Sequence, residues 1–243
     1  MEHLNIAMIG YGKMGKAIEA IALAKGFSVP LKITSANLYE LTKANLETCD
    51  VAIEFTNPQS APANIRTCID AGIPVVCGST GWNAQESEIK DYCLQHNGTL
   101  LFASNFSIGV NIFFELNKKL AGMLSRQKGY DVSIEEIHHT AKKDTPSGTA
   151  IMLASQIIAQ RNDKNGWAMG EKGGEDKIMI SSKRIDPAPG THYVRYSSSI
   201  DDIEIVHTAH SREGFAAGAL TAAEFLVGKT GIFSMADVLK EFS

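Results

Sequence analysis

The fold is decided by the opening stretch of the chain, where an apolar run leads directly into a glycine-rich turn. It reads Asn5-Ile6-Ala7-Met8-Ile9-Gly10-Tyr11-Gly12-Lys13-Met14-Gly15. The apolar run predicts a buried strand, and residues 16–25 continue with the apolar spacing of a helix. A strand, a Gly-x-Gly-x-x-Gly turn and a helix in this order are typical of the first unit of a dinucleotide-binding sheet.

Each glycine of this turn has a predicted physical role. Gly10 permits a tight turn, Gly12 lets a pyrophosphate approach the backbone, and Gly15 lets the helix and strand pack closely. The N–H groups and the dipole at the helix N-terminus favour phosphate. We therefore predict that a dinucleotide is bound here, and the alternative is a glycine-rich turn without a ligand. The predicted contacts are Gly10, Tyr11, Gly12, Lys13, Met14 and Gly15.

Beyond the turn, apolar runs alternate with helical patterns as far as residue 105. Strands are predicted at 27–34, 50–55, 73–77 and 99–103, and helices at 61–71 and 86–96. This alternation favours a parallel sheet with right-handed crossovers. After residue 105 the regular alternation ends. The pattern there predicts a helix at 108–127, a strand at 131–138, a helix at 147–161 and an exposed loop at 162–174. Antiparallel strands at 177–184, 194–199 and 203–209 and helices at 216–227 and 235–242 complete the chain.

The predicted fold class is therefore α/β, with a Rossmann-like dinucleotide-binding domain and a second α+β domain that carries a mixed or antiparallel sheet. The first domain is expected to span residues 1–106 and to be completed by residues 212–243. The second domain is expected to span residues 107–211.

Composition narrows the class of protein. The chain has 243 residues, 44% of them hydrophobic and 21% charged, which predicts a globular protein and excludes wholesale disorder. A net charge of −4 without basic clusters argues against nucleic acid, and the lack of a long apolar run argues against a membrane span. There is no secretory signal, and the cysteines lack metal-binding spacing, so we expect reduced core thiols in a cytoplasmic protein. These are Cys49, Cys68, Cys77 and Cys93.

Two further segments follow predicted strands, where open α/β sheets bind ligands. We predict cofactor contacts there, and plain loops are the alternative. The candidates are Gly78, Ser79, Thr80, Ala103, Ser104, Asn105 and Phe106. The acidic residue expected about 20 positions after the turn for the ribose of NAD is missing. Thr34, Ser35 and Lys32 stand near that place, so NADH and NADPH both remain open, and Lys32 is either a phosphate ligand or a surface lysine.

The chemistry concentrates in residues 135–150, which read Glu-Glu-Ile-His138-His139-Thr-Ala-Lys142-Lys143-Asp-Thr-Pro-Ser147-Gly148-Thr149-Ala. Ser147 is a good helix N-cap, so the N–H groups of Gly148 and Thr149 would form an anion site. The histidines are suited to proton transfer near neutral pH, although an unbroken strand would place them on opposite faces. We predict no metal site, because no carboxylate or cysteine stands at ligand spacing from the histidine pair.

This segment closely resembles the central signature of the dihydrodipicolinate reductases. The matching pattern is Glu136-x-His138-His139-x-x-Lys142-x-Asp144-x-Pro146-Ser147-Gly148-Thr149-Ala150. The glycine turn, the segments at 54–58, 78–81, 103–111 and 189–192, and the run at 205–219 match the same family in order. The turn is one residue shorter than the common form, and Ala141 stands where some members have another histidine. These departures leave the coenzyme preference open.

The resemblance implies hydride transfer from NADH or NADPH to a cyclic unsaturated dicarboxylate, giving tetrahydrodipicolinate in lysine and diaminopimelate biosynthesis. It implies that His138 is the acid/base, that Lys142 is a proton donor, and that substrate is bound by His139, Ser147, Gly148 and Thr149. It also implies that the second domain binds substrate and assembles a homotetramer. Two alternatives stay open: another two-domain NAD(P)-dependent dehydrogenase, or a dinucleotide-sensing module without turnover.

Overall fold

A computed structural model describes residues 3–127, 129–170, 174–211 and 213–241. These residues form two compact units. Unit 1 is drawn from Met1–Ile108 and Glu213–Ser243, and unit 2 is drawn from Gly109–Arg212. Within the described ranges, no helix is long and apolar enough to cross a lipid bilayer.

The secondary structure follows a βαβ pattern at first and becomes strand-rich later. The strands are β1 (Asn5–Ile9), β2 (Ser28–Ile33), β3 (Val51–Glu54), β4 (Val75–Cys77), β5 (Thr99–Phe102), β6 (Asp131–His138), β7 (Gly166–Met169), β8 (Lys177–Arg184), β9 (Gly190–Ser197), β10 (Asp202–Ala209) and β11 (Gly231–Phe233). The helices are α1 (Lys13–Ala24), α2 (Lys43–Leu46), α3 (Ala61–Asp70), α4 (Asn83–Gln95), α5 (Ile108–Leu124), α6 (Gly148–Ile158), α7 (Glu213–Leu226) and α8 (Met235–Glu241).

Unit 1 is built on a parallel sheet with the strand order β2-β1-β3-β4-β5-β11. The chain runs outward from β1 to β2, then crosses to β3 on the other side of β1. This reversal leaves a crevice at the carboxyl ends of β1 and β3, where open α/β sheets bind ligands. The edge strand β11 was not predicted, because three residues are too few to show a periodic pattern.

Both faces of this sheet are covered, so its strands are apolar along their whole length. Side chains of a strand alternate between faces: Ile6 and Met8 of β1 face a core that includes α1, α7 and α8. Ala7 and Ile9 face the opposite core, which includes α3 and α4. The four cysteines are unpaired and buried in this second core.

Helix α7 lies unusually close to the backbone that follows β5. A side chain on Gly218 would place its Cβ 1.8 Å from the carbonyl oxygen of Phe106. The helix is rich in alanine, and Ala216, Ala219, Ala222 and Ala223 are buried with Phe106 in the same core. The small residues of α7 therefore allow this helix to pack closely against one face of the first sheet.

Unit 2 is built on a mixed sheet with the strand order β10-β9-β6-β8-β7. The pairs β6–β9 and β9–β10 are antiparallel, whereas β6–β8 and β7–β8 are parallel. The prediction that residues 177–184 form an antiparallel strand was therefore wrong, because long connections bring β7 and β8 back in the direction of β6. The predicted loop at 162–174 was also wrong in part, since Gly166–Met169 pairs with β8; residues 171–173 lie outside the described part.

Residues of strand β6 alternate between more exposed and buried positions. The buried face includes two side chains that can take part in proton transfer, Glu136 and His138. Val132 and Ile134 pack with residues of α5 and α6 in the core. Glu136 and His138 continue the same alternation and are buried as well. The period of two thus places a carboxylate and an imidazole on the apolar, helix-covered face of the sheet.

Replacing Gly218 by alanine is expected to destabilise unit 1, because the new methyl group would overlap the Phe106 carbonyl. Overpacking of this kind costs about 1–3 kcal/mol, which urea unfolding followed by circular dichroism measures. Gly214→Ala is the matched control on the same helix, since its Cβ would meet only Ser107 Oγ at 3.5 Å. Equal stability of the two variants would contradict the close approach.

Candidate functional site

The glycine turn of unit 1 has the geometry that a nucleotide loop requires. Gly10 adopts φ +96°, and its missing side chain makes room for the Phe55 carbonyl oxygen, 2.1 Å from where a Cβ would lie. A Cβ on Gly15 would lie 2.6 Å from the Gly10 carbonyl oxygen. Gly12 begins α1 as its N-cap and has open space where its side chain would be. Gly10 and Gly15 thus allow backbone segments to pack closely against each other, whereas Gly12 leaves an open space beside the N-terminus of α1.

A cleft of about 420 Å³ opens at the reversal of strand order in this sheet. It is formed by the carboxyl ends of β1, β2 and β3, and Gly10, Tyr11 and Gly12 line it. The first N–H groups of α1, which include those of Lys13, Met14 and Gly15, have no acceptor within the helix. An open space at Gly12 beside unsatisfied N–H groups fits the pyrophosphate of a dinucleotide.

Sequence reasoning had not assigned several other residues that line this cleft. They are Ile9, Ile33, Leu38, Phe55, Thr56, Asn57, Ser60 and Asn64, and the cleft is also lined by Thr34 and Ser35, which the sequence pattern had placed near the ribose. Many of these residues come directly after β2 or β3 in the chain. Ligands of open α/β sheets bind at the carboxyl ends of the strands, so applying this principle to residues 54–58 would have predicted Phe55, Thr56 and Asn57. The hydroxyl groups of Thr34 and Ser35 occupy the side where an acidic residue would bind the ribose of NAD.

Lys32 forms an ion pair with the carboxylate of Glu19. Its Nζ lies 2.5 Å from Glu19 Oε1, and Tyr11 donates a hydrogen bond to the other oxygen of Glu19. These two donors, Lys32 first, hold the pKa of Glu19 below its usual value. The hydrogen bond to Glu19 in turn raises the pKa of Tyr11. Lys32 therefore supports the side of the glycine turn through Glu19 and Tyr11.

The remaining predicted cofactor residues follow β4 and β5 and do not line this cleft. Ser79 is buried, and its hydroxyl accepts a hydrogen bond from the Thr56 N–H at 2.7 Å. A side chain on Gly78 would overlap the Phe55 ring, and the Phe106 ring lies 5.6 Å from that ring. Thr80 and Ser104 are exposed, whereas Ala103 and Asn105 are half-buried. These residues shape the same edge of the sheet, and their contact with a cofactor stays a prediction.

In unit 2, the predicted acid/base residue is paired with a carboxylate. His138 is the last residue of β6, and its Nδ1 lies 3.1 Å from Oε2 of Glu136. Both side chains are buried, Glu136 completely. His139 follows the end of the strand and is half-buried. The ring of His192, which lies on β9, is edge-on to the His138 ring, with the two centroids 5.0 Å apart.

Glu136 lies where three strands and a helix meet. Its Oε1 accepts hydrogen bonds from Ser147 N at 3.1 Å, Ser182 Oγ at 2.7 Å and Arg184 Nη2 at 3.2 Å. Burial by itself would raise the pKa of Glu136, but the contacts with His138, Ser147 and Ser182 outweigh it and hold that pKa well below its usual range. The cluster therefore contains a buried, ionised carboxylate.

His192 is the neutral member of this cluster. It is the cross-strand partner of Glu136, and its Nε2 lies 3.1 Å from Ser147 Oγ. Burial is the main reason that its pKa falls to about 3, and the charges of His138, His207 and Lys142 also contribute. His192 belongs to the family-matching segment 189–192, but no role was predicted for it. Only the strand register places it beside Glu136.

The predicted proton donor and the predicted anion site lie in the connection between β6 and α6. Lys142 Nζ contacts both carboxylate oxygens of Asp144, at 2.7 and 2.6 Å. Ser147 is the N-cap of α6, as predicted, and its hydroxyl accepts from Ala150 N at 3.1 Å. Gly148 and Thr149 begin the helix, so their N–H groups have no acceptor within it. The helix dipole favours an anion there.

Three ligand atoms of Glu136, His138 and His192 lie within 4.8 Å of one another, which is metal-binding spacing. The reason given for predicting no metal was therefore incomplete, because the fold brings a carboxylate to the histidines. The other carboxylate oxygen of Glu136 already accepts from the guanidinium of Arg184. A neighbouring cation disfavours a metal ion at this carboxylate, so we interpret the cluster as a proton-transfer site and not as a metal site.

Comparisons with known proteins identify the family. Two family models match consecutive parts of the chain: dihydrodipicolinate reductase, N-terminus, at residues 4–106, and dihydrodipicolinate reductase, C-terminus, at residues 109–239. The chain belongs to the dihydrodipicolinate reductase family. The 4-hydroxy-tetrahydrodipicolinate reductase of Christiangramia forsetii is 50% identical over 238 residues, which cover 98% of each chain. The reductase of the same name from Neisseria meningitidis serogroup B is 33% identical over 228 residues, which cover 91% of this chain and 83% of the relative.

Solved structures support the fold. Dipicolinate-bound dihydrodipicolinate reductase from Paenisporosarcina sp. TG-14 has a TM-score of 0.73 at 21% identity, and covers 96% of this chain and 98% of its own. Amine dehydrogenase from Mycobacterium smegmatis has a TM-score of 0.61 at 11% identity, with 96% and 95% covered. The predicted α/β fold class is confirmed. The predicted family, its NAD(P)H-dependent reductase activity and the class of cofactor are confirmed by the family match.

Replacing Gly12 by valine is expected to weaken NADH and NADPH binding at least about tenfold, or ~1.4 kcal/mol. The reason is that the side chain would fill the open space beside the first turn of α1. Titration followed by nicotinamide fluorescence measures the affinity, and the thermal unfolding temperature should fall only slightly, by the cost of a poorer N-cap for α1. Gly10→Ala is the contrasting variant, because its Cβ would overlap Phe55 and lower the stability instead. Unchanged affinity in the Gly12 variant would place the pyrophosphate elsewhere.

Proposed function

We propose that this chain reduces 4-hydroxy-tetrahydrodipicolinate to tetrahydrodipicolinate in lysine and diaminopimelate biosynthesis, using NADH or NADPH. Membership of the dihydrodipicolinate reductase family supports the reaction. The observation that carries the assignment of residues is the buried pair of Glu136 and His138, which lies beside the N-terminus of α6. This arrangement combines a proton-transfer group with an anion site.

The residues of unit 2 would complete the reduction by moving a proton. The coenzyme supplies the hydride when it is bound. His138 acts as the acid/base, and Lys142 donates a proton to the carbon next to the one that accepts the hydride. The 4-hydroxyl group of the substrate leaves as water, and one hydride and one proton add to the resulting unsaturated ring, so that the conversion to tetrahydrodipicolinate balances. The backbone N–H of Lys142 donates to the carbonyl oxygen of His139 at 3.1 Å, so Lys142 lies in the turn that directly follows His138 and His139.

The start of α6 would hold a substrate carboxylate. The N–H groups of Gly148 and Thr149 are free of helical acceptors, and the helix dipole adds positive potential. The hydroxyl of Ser147 is engaged by Ala150 N and His192, so this residue supports the anion site as the cap of the helix. His139 follows the strand end and would contribute a further contact to the substrate.

The cleft of unit 1 would hold the coenzyme. Gly12 and the first turn of α1 face the pyrophosphate, and Thr34 and Ser35 lie on the ribose side. None of the described residues that line this cleft is acidic, so a 2′-phosphate would meet no carboxylate among them. We therefore expect turnover with both coenzymes, which parallel assays with NADH and NADPH on freshly made substrate measure.

Assembly as a homotetramer in the cytoplasm is part of the same proposal. The sheet of unit 2 packs one face on α5 and α6, and its other face forms a polar hollow lined by residues such as Ser133, Tyr193 and Arg195. A sheet face of this kind suits contact with another copy, and unpaired buried cysteines suit a reducing compartment.

Light scattering coupled to gel filtration is expected to give the mass of four chains of 26.2 kDa each. Tyr193 in the hollow of unit 2 is half-buried, and a second copy that covers its ring would remove further apolar surface from water. A mass of a single chain at micromolar concentration would contradict the tetramer without bearing on the reaction.

His138→Gln and Lys142→Ala are each expected to lower kcat by at least about 100-fold, the usual contribution of proton transfer. Affinity for NADH should be unchanged, because both residues lie in unit 2 and the nucleotide cleft lies in unit 1. Steady-state turnover and fluorescence titration measure the two quantities. Lys143→Ala is the matched control on the neighbouring, exposed lysine. Near-normal kcat in both variants would refute the assigned roles.

A further inference from the structure

We propose that Glu136 is a positioning residue, which orients the His138 imidazole and stabilises its protonated form during turnover. The inference rests on the proposed function, because it needs His138 as the acid/base. The two residues stand two positions apart on β6 and so share one face of the sheet. Glu136 Oε2 lies 3.1 Å from His138 Nδ1, and the Glu136 side chain is fully buried.

The carboxylate is held in a single orientation. Three donors converge on Oε1: the backbone N–H of Ser147, the hydroxyl of Ser182 and the guanidinium of Arg184. They come from the N-terminus of α6 and from β8, so the carboxylate cannot turn without breaking bonds to two elements. Oε2 is thereby held 3.1 Å from Nδ1 of His138, and neither of these two buried atoms meets hydrogen-bond geometry with any described partner. A carboxylate fixed in this way determines which imidazole nitrogen carries the proton that it accepts.

The second imidazole nitrogen then becomes the atom that exchanges protons. With Nδ1 of His138 lying 3.1 Å from Glu136, Nε2 is left on the other edge of the ring. Gly190 lies against that edge, where a Cβ would come within 3.0 Å of Nε2. The absence of a side chain at Gly190 therefore keeps this nitrogen uncovered by the neighbouring strand.

The charged and titratable groups around His138 come from every element packed on it. Glu136 lies on β6, Arg184 on β8, His192 on β9, and Lys142 in the connection after β6. His192 stays neutral because burial lowers its pKa to about 3. Glu136 is the anion in contact with the imidazole and is paired with Arg184, whereas Lys142 is paired with a second carboxylate, Asp144. Replacing Glu136 by a neutral residue would therefore leave a net positive charge beside the imidazole.

A solely structural role for Glu136 is the competing explanation, since the carboxylate also joins β6, β8 and α6. The two explanations differ in the pH dependence of turnover. If Glu136 has only a structural role, its replacement should change the stability of the protein and leave the pH profile of kcat unchanged. A positioning residue would shift that profile, because the carboxylate acts on the protonation of the imidazole.

The test is Glu136→Gln, which keeps the shape of the side chain and removes its charge. We expect kcat to fall about 10- to 100-fold, the pH profile of kcat to move to lower pH, and KM and NADH affinity to stay within about twofold. Glu135→Gln is the matched control, because Glu135 faces the opposite side of β6 and pairs with Lys183 at 2.7 Å. Light scattering verifies that neither change alters the assembly.

A second measurement needs no variant of Glu136. In ¹⁵N spectra of histidine-labelled wild-type protein, the His138 signals, assigned by their loss in His138→Gln, should report a proton on Nδ1. A proton on Nε2 alone in the neutral form would overturn the inference even if Glu136→Gln fails to fold. Wild-type kcat and pH profile in Glu136→Gln, with His138→Gln inactive, would overturn the inference alone. An active His138→Gln would instead overturn the proposed role of His138.

Discussion

The chemistry of unit 2 depends on one buried negative charge. Moving a carboxylate out of water is costly unless donors replace the lost water. Glu136 is fully buried, and it is compensated by the amide of Ser147, the hydroxyl of Ser182, the guanidinium of Arg184 and the imidazole of His138. These partners belong to β6, β8 and the start of α6, so the same bonds that satisfy the charge also hold the helix on the sheet.

This arrangement links the register of the sheet to its function. A slip of β6 by one residue would move Glu136 and His138 to the opposite face and leave the donors unsatisfied. The register observed places Ser182 and His192 on either side of Glu136. Packing, charge compensation and the orientation of the acid/base therefore depend on the same alignment of three strands.

Unit 1 depends on a different constraint, which is the absence of side chains at points of close approach. Gly10 admits the Phe55 carbonyl, Gly15 admits the Gly10 carbonyl, and Gly218 admits the Phe106 carbonyl. These contacts bring α1 and α7 close to the sheet and leave the carboxyl ends of β1 and β3 uncovered. The space at Gly12 then lies beside the start of α1, so the packing of the unit creates its binding cleft.

Local patterns in the sequence determined much of this protein, because they act over a few residues. The glycine turn, the apolar runs of the parallel sheet, the Ser147 cap and the Glu136-to-Thr149 signature were sufficient for the fold class and the family. The direction of β8 and the short strands β7 and β11 were decided only by the tertiary structure, since pairing partners far along the chain create them. The same holds for the site: His138 was recognisable from its neighbours in sequence, whereas its cluster with His192, Ser182 and Arg184 exists only because strand register brings distant residues onto one buried face.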